Sequence, residues 1–380
     1  MITFRYLTAI SDIDSQQWNA ISGHDYPFTR HAFLAALELS GSVSQTQGWQ
    51  PHNLTAYDGQ RLIAVMPLYI KSHSYGEYIF DWAWADAYHR HGLEYYPKLL
   101  AAIPFTPATG PRLCIADEVD SLAIRNAVSN ELISHCQDIE ASSVHLLFPE
   151  QDQLLNIPFM PRSSVQFHWF NQGFKSFDDF LATFKSRKRK NLNKERLQVA
   201  NQGVTLKRLT GCDIDQHSWQ QFYHFYQLTY AKRSGHGGYL TEDFFNRIAQ
   251  TMKDNIMLVL AIKDERIIAG ALNFFDSNTL YGRYWGCIEE IEYLHFEACY
   301  YQGIEFCIEK NIPLFNPGTQ GEHKILRGFE PFLCYSNHKM KEDGFDRAIA
   351  DFLQRETPQI IDYAEKSASL LPYKDINPEK

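Results

Sequence analysis

The sequence predicts an α/β fold of the α+β kind in which one strand-rich unit occurs twice. The clearer copy spans residues 257–308, where two apolar runs joined by a short charged turn predict a hairpin, and a third, aromatic run leads into a helix. Residues 54–70 form a second hairpin of the same design, and residues 61–64 (Arg-Leu-Ile-Ala) align without a gap with residues 266–269 (Arg-Ile-Ile-Ala). The two hairpins lie far apart in the sequence. This spacing indicates two copies of one fold rather than a solenoid, whose repeats are much shorter. A chance match of two hairpins is the alternative.

The length of the chain fits this duplication. Its 380 residues can form two domains of roughly 100–200 residues each. We expect an N-terminal domain over residues 1–160 and a C-terminal domain over residues 161–380, with no linker or low-complexity segment between them. Each should contain a mixed, largely antiparallel sheet flanked by helices.

Composition and charge argue against several classes of protein. The hydrophobic fraction of 44% and the charged fraction of 21% are ordinary for a globular protein, and a net charge of −9 argues against bulk nucleic-acid binding. The seven cysteines are scattered without a Cys-x-x-Cys pair, so we expect reduced thiols rather than disulfides or a zinc site. The first residues lack a basic region followed by an apolar core, and the apolar runs are too short to cross a bilayer. We therefore expect a cytoplasmic protein without membrane insertion.

Both halves alternate strands and helices around the two hairpins. Before residue 160 we predict a strand over residues 1–10, helices from residue 11 and over 30–40, the hairpin, a helix over 88–92 that ends at Gly92, a helix over 121–141 and a strand over 143–148. After it we predict a strand over 167–170, a helix from 176, a basic helix over 185–196, a strand over 206–209, helices over 219–232 and 242–252, the unit 257–308, a strand over 311–316 and a helix from Gly344.

A basic run interrupts this acidic chain. Residues 185–196 carry seven Lys or Arg in twelve positions, among them Arg187 and Lys188. One interpretation is a solvated helix face. The other is a site for an anionic ligand such as CoA phosphates, a nucleotide or tRNA, because Arg makes bidentate contacts with phosphate.

The strand over residues 281–286 places a charge among aromatic residues. Strand alternation puts Arg283 and Trp285 on one face and Tyr284 on the other. A charge in a core strand is costly unless it is paired or lies at a site. We therefore expect either a ligand contact at Arg283 or an ion pair, for which Glu297 is the candidate partner.

The helix after this strand bears on the choice of cofactor. Helix N-termini attract anions, but Glu289, Glu290 and Glu292 precede this helix in place of a glycine-rich loop and should repel a pyrophosphate. This argues against ordinary CoA binding in this half. Farther along, Lys324 and Arg327 follow a turn that lacks the Gly-Lys-Ser/Thr of a P-loop, and they fit either an anion site or surface charge.

A group of ionisable residues lies in the aromatic tract of the first half. Asp81, Asp86, His89 and His91 supply general bases or metal ligands by residue type, but no further His spacing supports a metal, and we expect none. His or Asp can be tuned to remove a proton from an amine near neutral pH. A hydrogen-bonded structural cluster is the alternative.

Several long motifs resemble one known family, the FemAB-like predicted N-acyltransferases of bacteria. They lie at residues 80–88, 95–98, 104–107, 282–286, 294–297 and 317–324. The resemblance covers nearly the whole chain and implies two tandem domains like the acyl-CoA N-acyltransferases of the GNAT superfamily. More distantly, residues 189–192 leading to Gly203 and Val204 look like the Fem peptidoglycan aminoacyltransferases, which transfer amino acids from aminoacyl-tRNA to a cell-wall precursor amine. The long heptad pattern of their coiled-coil insertion is missing here.

Together these observations predict an N-acyltransferase that moves an acyl group from an activated donor, with acyl-CoA expected, to an amine in a cleft between two GNAT-like domains. We expect Asp86 or His89 to be the general base, and backbone N–H groups of a splayed strand to stabilise the oxyanion. Ligand contacts are expected from Asp81, Trp82, Arg187, Lys188, Arg283, Tyr284, Trp285, Glu297, Lys324 and Arg327. The alternatives are an aminoacyl-tRNA-dependent enzyme, with tRNA less favoured as a partner, and a ligand-binding protein without turnover.

Overall fold

The structure is a computed structural model that describes residues 2–155, 158–235, 237–319 and 321–374. Gln320, which belongs to the 317–324 motif, lies outside the described residues. The chain folds into two compact units. Unit 1 comprises Met1–Ser164, Tyr239–Ile248 and Leu333–Asp362, and unit 2 comprises Val165–Gly238, Ala249–Phe332 and Tyr363–Lys380.

Strands and helices alternate along the whole chain. The strands are β1 (Ile2–Leu7), β2 (Trp49–Pro51), β3 (Asn53–Asp58), β4 (Arg61–Met66), β5 (Tyr69–Lys71), β6 (Lys98–Ala101), β7 (Cys114–Ile115), β8 (Ser143–Leu147), β9 (Met160–Phe170), β10 (Thr205–Thr210), β11 (Ile256–Lys263), β12 (Arg266–Phe275), β13 (Thr279–Cys287), β14 (Leu314–Asn316) and β15 (Glu330–Met340). The helices are α1 (Ser15–Ser22), α2 (His31–Leu39), α3 (Trp82–Arg90), α4 (Ser121–Asp138), α5 (Phe177–Ala182), α6 (Ser186–Asn201), α7 (Gln216–Ser234), α8 (Glu242–Thr251), α9 (Leu294–Phe296), α10 (Gln302–Lys310) and α11 (Asp343–Ala368). A π-helical turn, Glu297–Tyr301, joins α9 to α10.

Unit 1 contains two groups of paired strands. One is a sheet in the order β1-β3-β4-β7, antiparallel throughout. In the other, β2 pairs with β5 and β5 with β6 in antiparallel fashion, whereas β6 and β8 are parallel. Residues 336–340 of β15 then pair antiparallel with β8. The parallel pair is possible because α4 carries the chain back between the two strands.

Helix α4 shows how the sequence sets an element and its buried face. The Asp120 carboxylate accepts hydrogen bonds from the backbone N–H groups of Leu122 and Ala123, which caps the helix. Apolar residues at four-residue spacing then face the core of unit 1: Ile124, Val128, Leu132 and Cys136. Burying each of these larger side chains stabilises the unit by about 1.5–3 kcal/mol.

The two hairpins of the predicted repeat share a detail of their geometry. In β3/β4, Ala56 pairs with Ala64, and a register shift follows between residues 56 and 57. In β11/β12, Ala261 pairs with Ala269, and the shift follows between residues 261 and 262. The bulges therefore lie at the positions that the sequence alignment places opposite each other, which favours a true repeat over a chance match.

Unit 2 is built on six strands in the order β10-β11-β12-β13-β14-β9. All neighbours are antiparallel except β13 and β14, which run parallel. The sheet packs on a core of large apolar side chains from strands and from helices α5 and α10: Trp169, Phe180, Val259, Leu280, Ile304 and Phe315. The chain between β13 and β14 is helical, as a parallel connection requires.

The predicted helices over residues 30–40, 121–141, 219–232 and 242–252 are confirmed as α2, α4, α7 and α8. The helix predicted to end at Gly92 begins earlier than expected, at Trp82. Within the described residues, no helix combines the length and the apolar character needed to cross a bilayer.

Candidate functional site

The parallel strands of unit 2, β13 and β14, pair over a short distance only. Thr279–Tyr281 of β13 match Leu314–Asn316 of β14, after which β14 ends while β13 continues to Cys287. Beyond Tyr281, no strand of the described chain pairs with β13 on the side of β14. The chain after β14 lies close to β13 at a glycine, since a Cβ on Gly282 would lie 3.2 Å from the Cα of Pro317.

Lys324 anchors the turn that follows β14. It lies in a 3-10 turn, Glu322–Arg327, bounded by two glycines with positive φ. Its Nζ donates hydrogen bonds to the backbone oxygens of Gly318 at 2.8 Å and Thr319 at 3.3 Å. The residue is only 1% exposed. From the sequence, Lys324 could be either a surface charge or part of an anion site. The structure places its side chain in the interior.

The charge of Lys324 is not neutralised locally. Among the described residues, no carboxylate lies within ion-pair distance of its Nζ. Burial therefore lowers the pKa of this amine from 10.5 to about 7, against a smaller opposing effect of Cys299. An ammonium group has three donors, and backbone oxygens accept two of them. Near neutral pH the side chain can therefore offer a proton to, or accept one from, a bound molecule.

Aromatic side chains surround this lysine. Tyr300 Oη and His323 Nε2 are 2.9 Å apart, and the Lys324 Nζ lies 6.0 Å from the Tyr300 ring centroid. The His295 ring packs edge-on against Trp285, with centroids 5.5 Å apart, and against Tyr300 at 5.3 Å. Burial, together with His323 and nearby cations, lowers the pKa of His295 to about 3. His295 is therefore neutral near pH 7 and packs against its aromatic neighbours; it does not offer a positive charge to a ligand.

Arg327 holds the Lys324 turn in place. Its guanidinium stacks 3.4 Å from the centroid of the Phe296 ring, and Nε donates to Tyr301 Oη at 3.0 Å. Nη2 donates to Glu195 Oε1 at 2.8 Å, and Nη1 to the backbone oxygen of His323 at 2.8 Å. These contacts with the chain itself occupy a side chain for which we expected an anionic ligand.

Glu297 is held by an arginine of the basic helix. Arg196 Nε and Nη2 donate to the two Glu297 oxygens at 3.0 and 2.9 Å, and Nη1 donates to Glu305 at 2.6 Å. Glu297 opens the π-helical turn and is buried. This clamp holds the segment that carries His295 and Tyr300 in position. Its π-helical turn is of a kind often found at functional sites.

The aromatic strand follows the predicted alternation. Tyr284 is buried and packs edge-on against Tyr226 of α7 at 5.4 Å, whereas Arg283 and Trp285 are half-buried. A Cβ on Gly318 would lie 4.0 Å from Arg283 Nη1. Arg283 therefore reaches the same turn that Lys324 binds.

The structure thus brings together one part of the predicted residue set. Arg283 and Lys324 adjoin the turn after β14, Trp285 packs on His295, and Arg327 and Glu297 hold the surrounding chain in place. Arg187 is exposed and Lys188 half-buried on α6. Arg196 was not predicted to be a site residue, because it belongs to the same basic run as the exposed residues. Its spacing from the buried Leu192 and Val199 places it on the inner face of that helix.

The other predicted residues belong to unit 1. Asp86 and His89 are exposed on α3, and Asp86 pairs with Arg90 one turn later at 2.6 Å. Asp81 is buried and accepts hydrogen bonds from Lys98 and Tyr95, whereas Trp82 is 42% exposed. The catalytic role assigned to Asp86 and His89 stays a prediction. Within the described residues, no three His, Cys, Asp or Glu side chains are grouped to hold a metal ion.

Solved structures share this fold at low sequence identity. FemX matches with a TM-score of 0.50 and 14% identity, over 86% of this chain and 96% of that chain. The C-terminal domain of an Agrobacterium fabrum protein assigned as a lysylphosphatidylglycerol synthetase matches with a TM-score of 0.53 and 9% identity, over 90% and 96%. L-PGS from Bacillus licheniformis matches with a TM-score of 0.50 and 10% identity, over 84% and 96%. No curated protein matches the sequence.

A family model supplies the assignment that these distant structures do not. The model matches residues 9–375, nearly the whole chain, and describes the FemAB-like family of peptidoglycan biosynthesis and recognition. The predicted fold of mixed, largely antiparallel sheets flanked by helices is confirmed. The division into two tandem GNAT-like domains stays a prediction. The chain is a member of the FemAB-like family.

Proposed function

We propose that the protein transfers an acyl group from an activated donor to an amine, at the turn after β14 in unit 2. The observation that carries this proposal is the buried Lys324, which binds this turn where the pairing of β13 and β14 ends and has no carboxylate partner among the described residues. A structural lysine is normally paired or exposed, because burying an unpaired charge is costly. Below about pH 7 Lys324 instead carries a positive charge, and one of its three donors remains for a bound molecule.

In the proposed reaction the acceptor nitrogen attacks the acyl carbon, and the carbonyl electron pair moves onto oxygen. The Lys324 ammonium group donates a hydrogen bond to that oxygen, and N–H groups of β13 beyond Tyr281 are further donors. The intermediate then collapses: the bond to the leaving group breaks with its electron pair, and the attacking nitrogen loses its proton to the leaving group or to water. Donors aimed at a developing oxyanion are commonly the largest single contribution to such a reaction.

Acyl-CoA is the first donor to consider, and aminoacyl-tRNA is the second. The acidic residues before α9 favour aminoacyl-tRNA. Glu289, Glu290 and Glu292 occupy the place where the pyrophosphate of CoA would meet a helix N-terminus, and they would repel it. The exposed basic residues at the start of α6, including Arg187, suit a polyanionic donor. The family description supports a cell-wall precursor as the source of the acceptor amine.

Transfer assays with each donor class test the proposal. Purified protein is incubated with acetyl-CoA, longer acyl-CoAs or a mixture of aminoacyl-tRNAs, with a lysine-containing muropeptide as acceptor, and products are identified by mass spectrometry. We expect amide formation with one donor class and its loss in Lys324→Met. Amide formation at an unchanged rate in Lys324→Met contradicts the assignment of Lys324, and no product with any donor contradicts the proposed transfer.

A further inference from the structure

The proposed reaction needs a group that accepts the proton of the attacking amine. Lys324 does not suit this role while it binds the oxyanion, because its ammonium form already carries a full set of protons. Its neighbour in the same 3-10 turn, His323, has a side chain suited to proton transfer near neutral pH. His323 is exposed, whereas Lys324 is buried. One turn thus presents a buried amine and an accessible imidazole.

Two neighbours fix the position of the His323 ring. Its Nε2 lies 2.9 Å from the hydroxyl oxygen of the buried Tyr300, within hydrogen-bond distance. On another side the ring approaches Gly321, where a Cβ would lie 2.4 Å from the ring Cε1 atom. A side chain at position 321 would therefore displace the ring. Tyr300 also adjoins the amine, since the Lys324 Nζ lies 6.0 Å from its ring centroid.

The contact with Tyr300 leaves one nitrogen of His323 over. A neutral imidazole has one N–H group and one lone pair. When Nε2 donates its N–H to Tyr300 Oη, the lone pair is on Nδ1, which has no hydrogen-bond partner among the described residues. A base that a third group orients through a hydrogen bond is a recurring arrangement in enzymes. Nδ1 is therefore the nitrogen that can accept a proton from a bound molecule.

The groups around His323 favour its neutral form. Partial burial, together with Lys324 and Arg327 of the same turn, lowers the pKa of His323 below its ordinary value of 6.5. The ring of His295 in α9, which is itself neutral near pH 7, lies 6.2 Å away between centroids. Burial raises the pKa of Tyr300, so its hydroxyl stays protonated. Near neutral pH His323 can thus act as a base.

We propose that His323 is the general base of the transfer reaction and accepts the proton of the attacking amine through Nδ1. This inference rests on the proposed function, because the base acts at the turn that Lys324 binds. As the bond between nitrogen and the acyl carbon forms, the N–H proton moves to Nδ1 and the carbonyl electron pair moves onto oxygen. The imidazolium then gives this proton to the leaving group, which departs with the electron pair of the broken bond.

Rates of transfer to a lysine-containing muropeptide test this assignment, measured for the full chain with acetyl-CoA and with a mixture of aminoacyl-tRNAs. His323→Gln keeps a polar group near Tyr300 but has no basic nitrogen, and it should lower the rate near neutral pH by about 100-fold or more. The ratio of wild-type to His323→Gln rates cancels the titrations that both proteins share, those of the acceptor amine and of Lys324. This ratio should rise with pH up to the pKa of His323 and then stay constant, because only the neutral imidazole accepts a proton. His217→Gln, which removes an exposed histidine of α7, is the matched control and should keep the wild-type rate.

Each other outcome overturns the assignment. A ratio close to one at every pH places the base elsewhere, with Asp86 and His89 as the remaining candidates. A large ratio that does not change with pH shows that His323 only supports the turn, and an equal loss in His217→Gln shows an effect that is not specific to this histidine. In these three cases the wild-type protein forms the amide, so the proposed transfer stands. If the wild-type protein forms no amide with either donor, the proposed transfer fails and this assignment fails with it.

Discussion

Lys324 donates a 2.8 Å hydrogen bond from its side-chain nitrogen to the backbone oxygen of Gly318. This contact fixes the position of the amine relative to the backbone after β14, and it also stabilises that stretch of backbone. Gly318 has a φ of +85°, a conformation that other residues rarely adopt. Backbone geometry, rather than a counter-ion among the described residues, determines where this charge lies.

Replacing Lys324 should remove activity without loss of fold. Lys324→Met should slow transfer by about 100-fold or more, the usual effect of losing one oxyanion donor. Its thermal stability should change little, because removal of a buried charge offsets the loss of the hydrogen bonds to Gly318 and Thr319. Lys190→Met, on the exposed part of α6, is the matched control and should keep full activity unless tRNA is the donor. Steady-state kinetics and thermal melts check both.

The stability of the protein should depend on Lys324 in a defined pH range. Burial lowers its pKa from 10.5 to about 7, so between these values the unfolded chain binds the proton and the folded protein does not. Stability contributed by this group should therefore rise from pH 7 to pH 10. Urea denaturation of wild type and Lys324→Met across this range isolates the effect, which should be present only in the wild type. Parallel pH profiles of the two proteins would contradict the burial argument.

Breaking the clamp at the π-helical turn should destabilise unit 2. Arg196→Met leaves Glu297 buried without its bidentate partner, and we expect a loss of about 3 kcal/mol. Arg196→Met combined with Glu297→Met should cost less than the single change, because the buried Glu297 charge is then removed and Glu305, which also loses Arg196, is partly exposed to solvent. Arg187→Met on the exposed face is the control and should shift the free energy of unfolding by less than about 0.5 kcal/mol. Equal effects of Arg196→Met and Arg187→Met would show that the clamp has no energetic role.

A glycine of β13 should tolerate no side chain. A Cβ on Gly286 would lie 2.1 Å from the backbone oxygen of Phe225 in α7. Either β13 or α7 would have to move to relieve this clash. We expect Gly286→Ala to destabilise the protein by about 1–3 kcal/mol or more. Gly344→Ala is the matched control, since no atom lies within 4 Å of its Cβ position. Denaturant titration of the two variants compares them directly.

The basic face of α6 distinguishes the two donors. If aminoacyl-tRNA is the donor, neutralising Arg187, Lys188, Arg189 and Lys190 together should weaken tRNA binding and flatten its salt dependence. If acyl-CoA is the donor, the same variant should retain its activity. Filter binding at several salt concentrations, with the transfer assay alongside, separates these outcomes.

The two similar hairpins and most elements could be predicted because they depend on local patterns. The hairpins, α4 and α7 have clear periodicity, and even the bulge after Ala56 recurs after Ala261. Strand β15 could not be predicted, because its buried positions include Ser336, Asn337 and His338 and no apolar alternation marks it. Hydrogen bonds satisfy these polar side chains, and sequence periodicity does not report such bonds.

The site was predictable in part for the same reason. Alternation along β13 put Arg283 and Trp285 on one face, and the motif around residues 317–324 drew attention to Lys324. The sequence could not show that Lys324 is buried and lacks a counter-ion, because that depends on residues distant in the chain. Nor could it show that Arg327 and Glu297 are bound by Glu195 and Arg196 of α6.

The pH dependence of kcat tests the role of Lys324 most directly, measured with saturating donor and a weakly basic amine as acceptor. The neutral amine has two N–H groups, which Gly318 and Thr319 accept, so only the ammonium form of Lys324 has a third donor for the oxyanion. The wild-type rate should therefore decline as pH rises through about 7, the pKa that burial gives this group. Lys324→Met, although slow, should show no such decline. A wild-type rate that rises through this range, or the same decline in Lys324→Met, would contradict the proposed role.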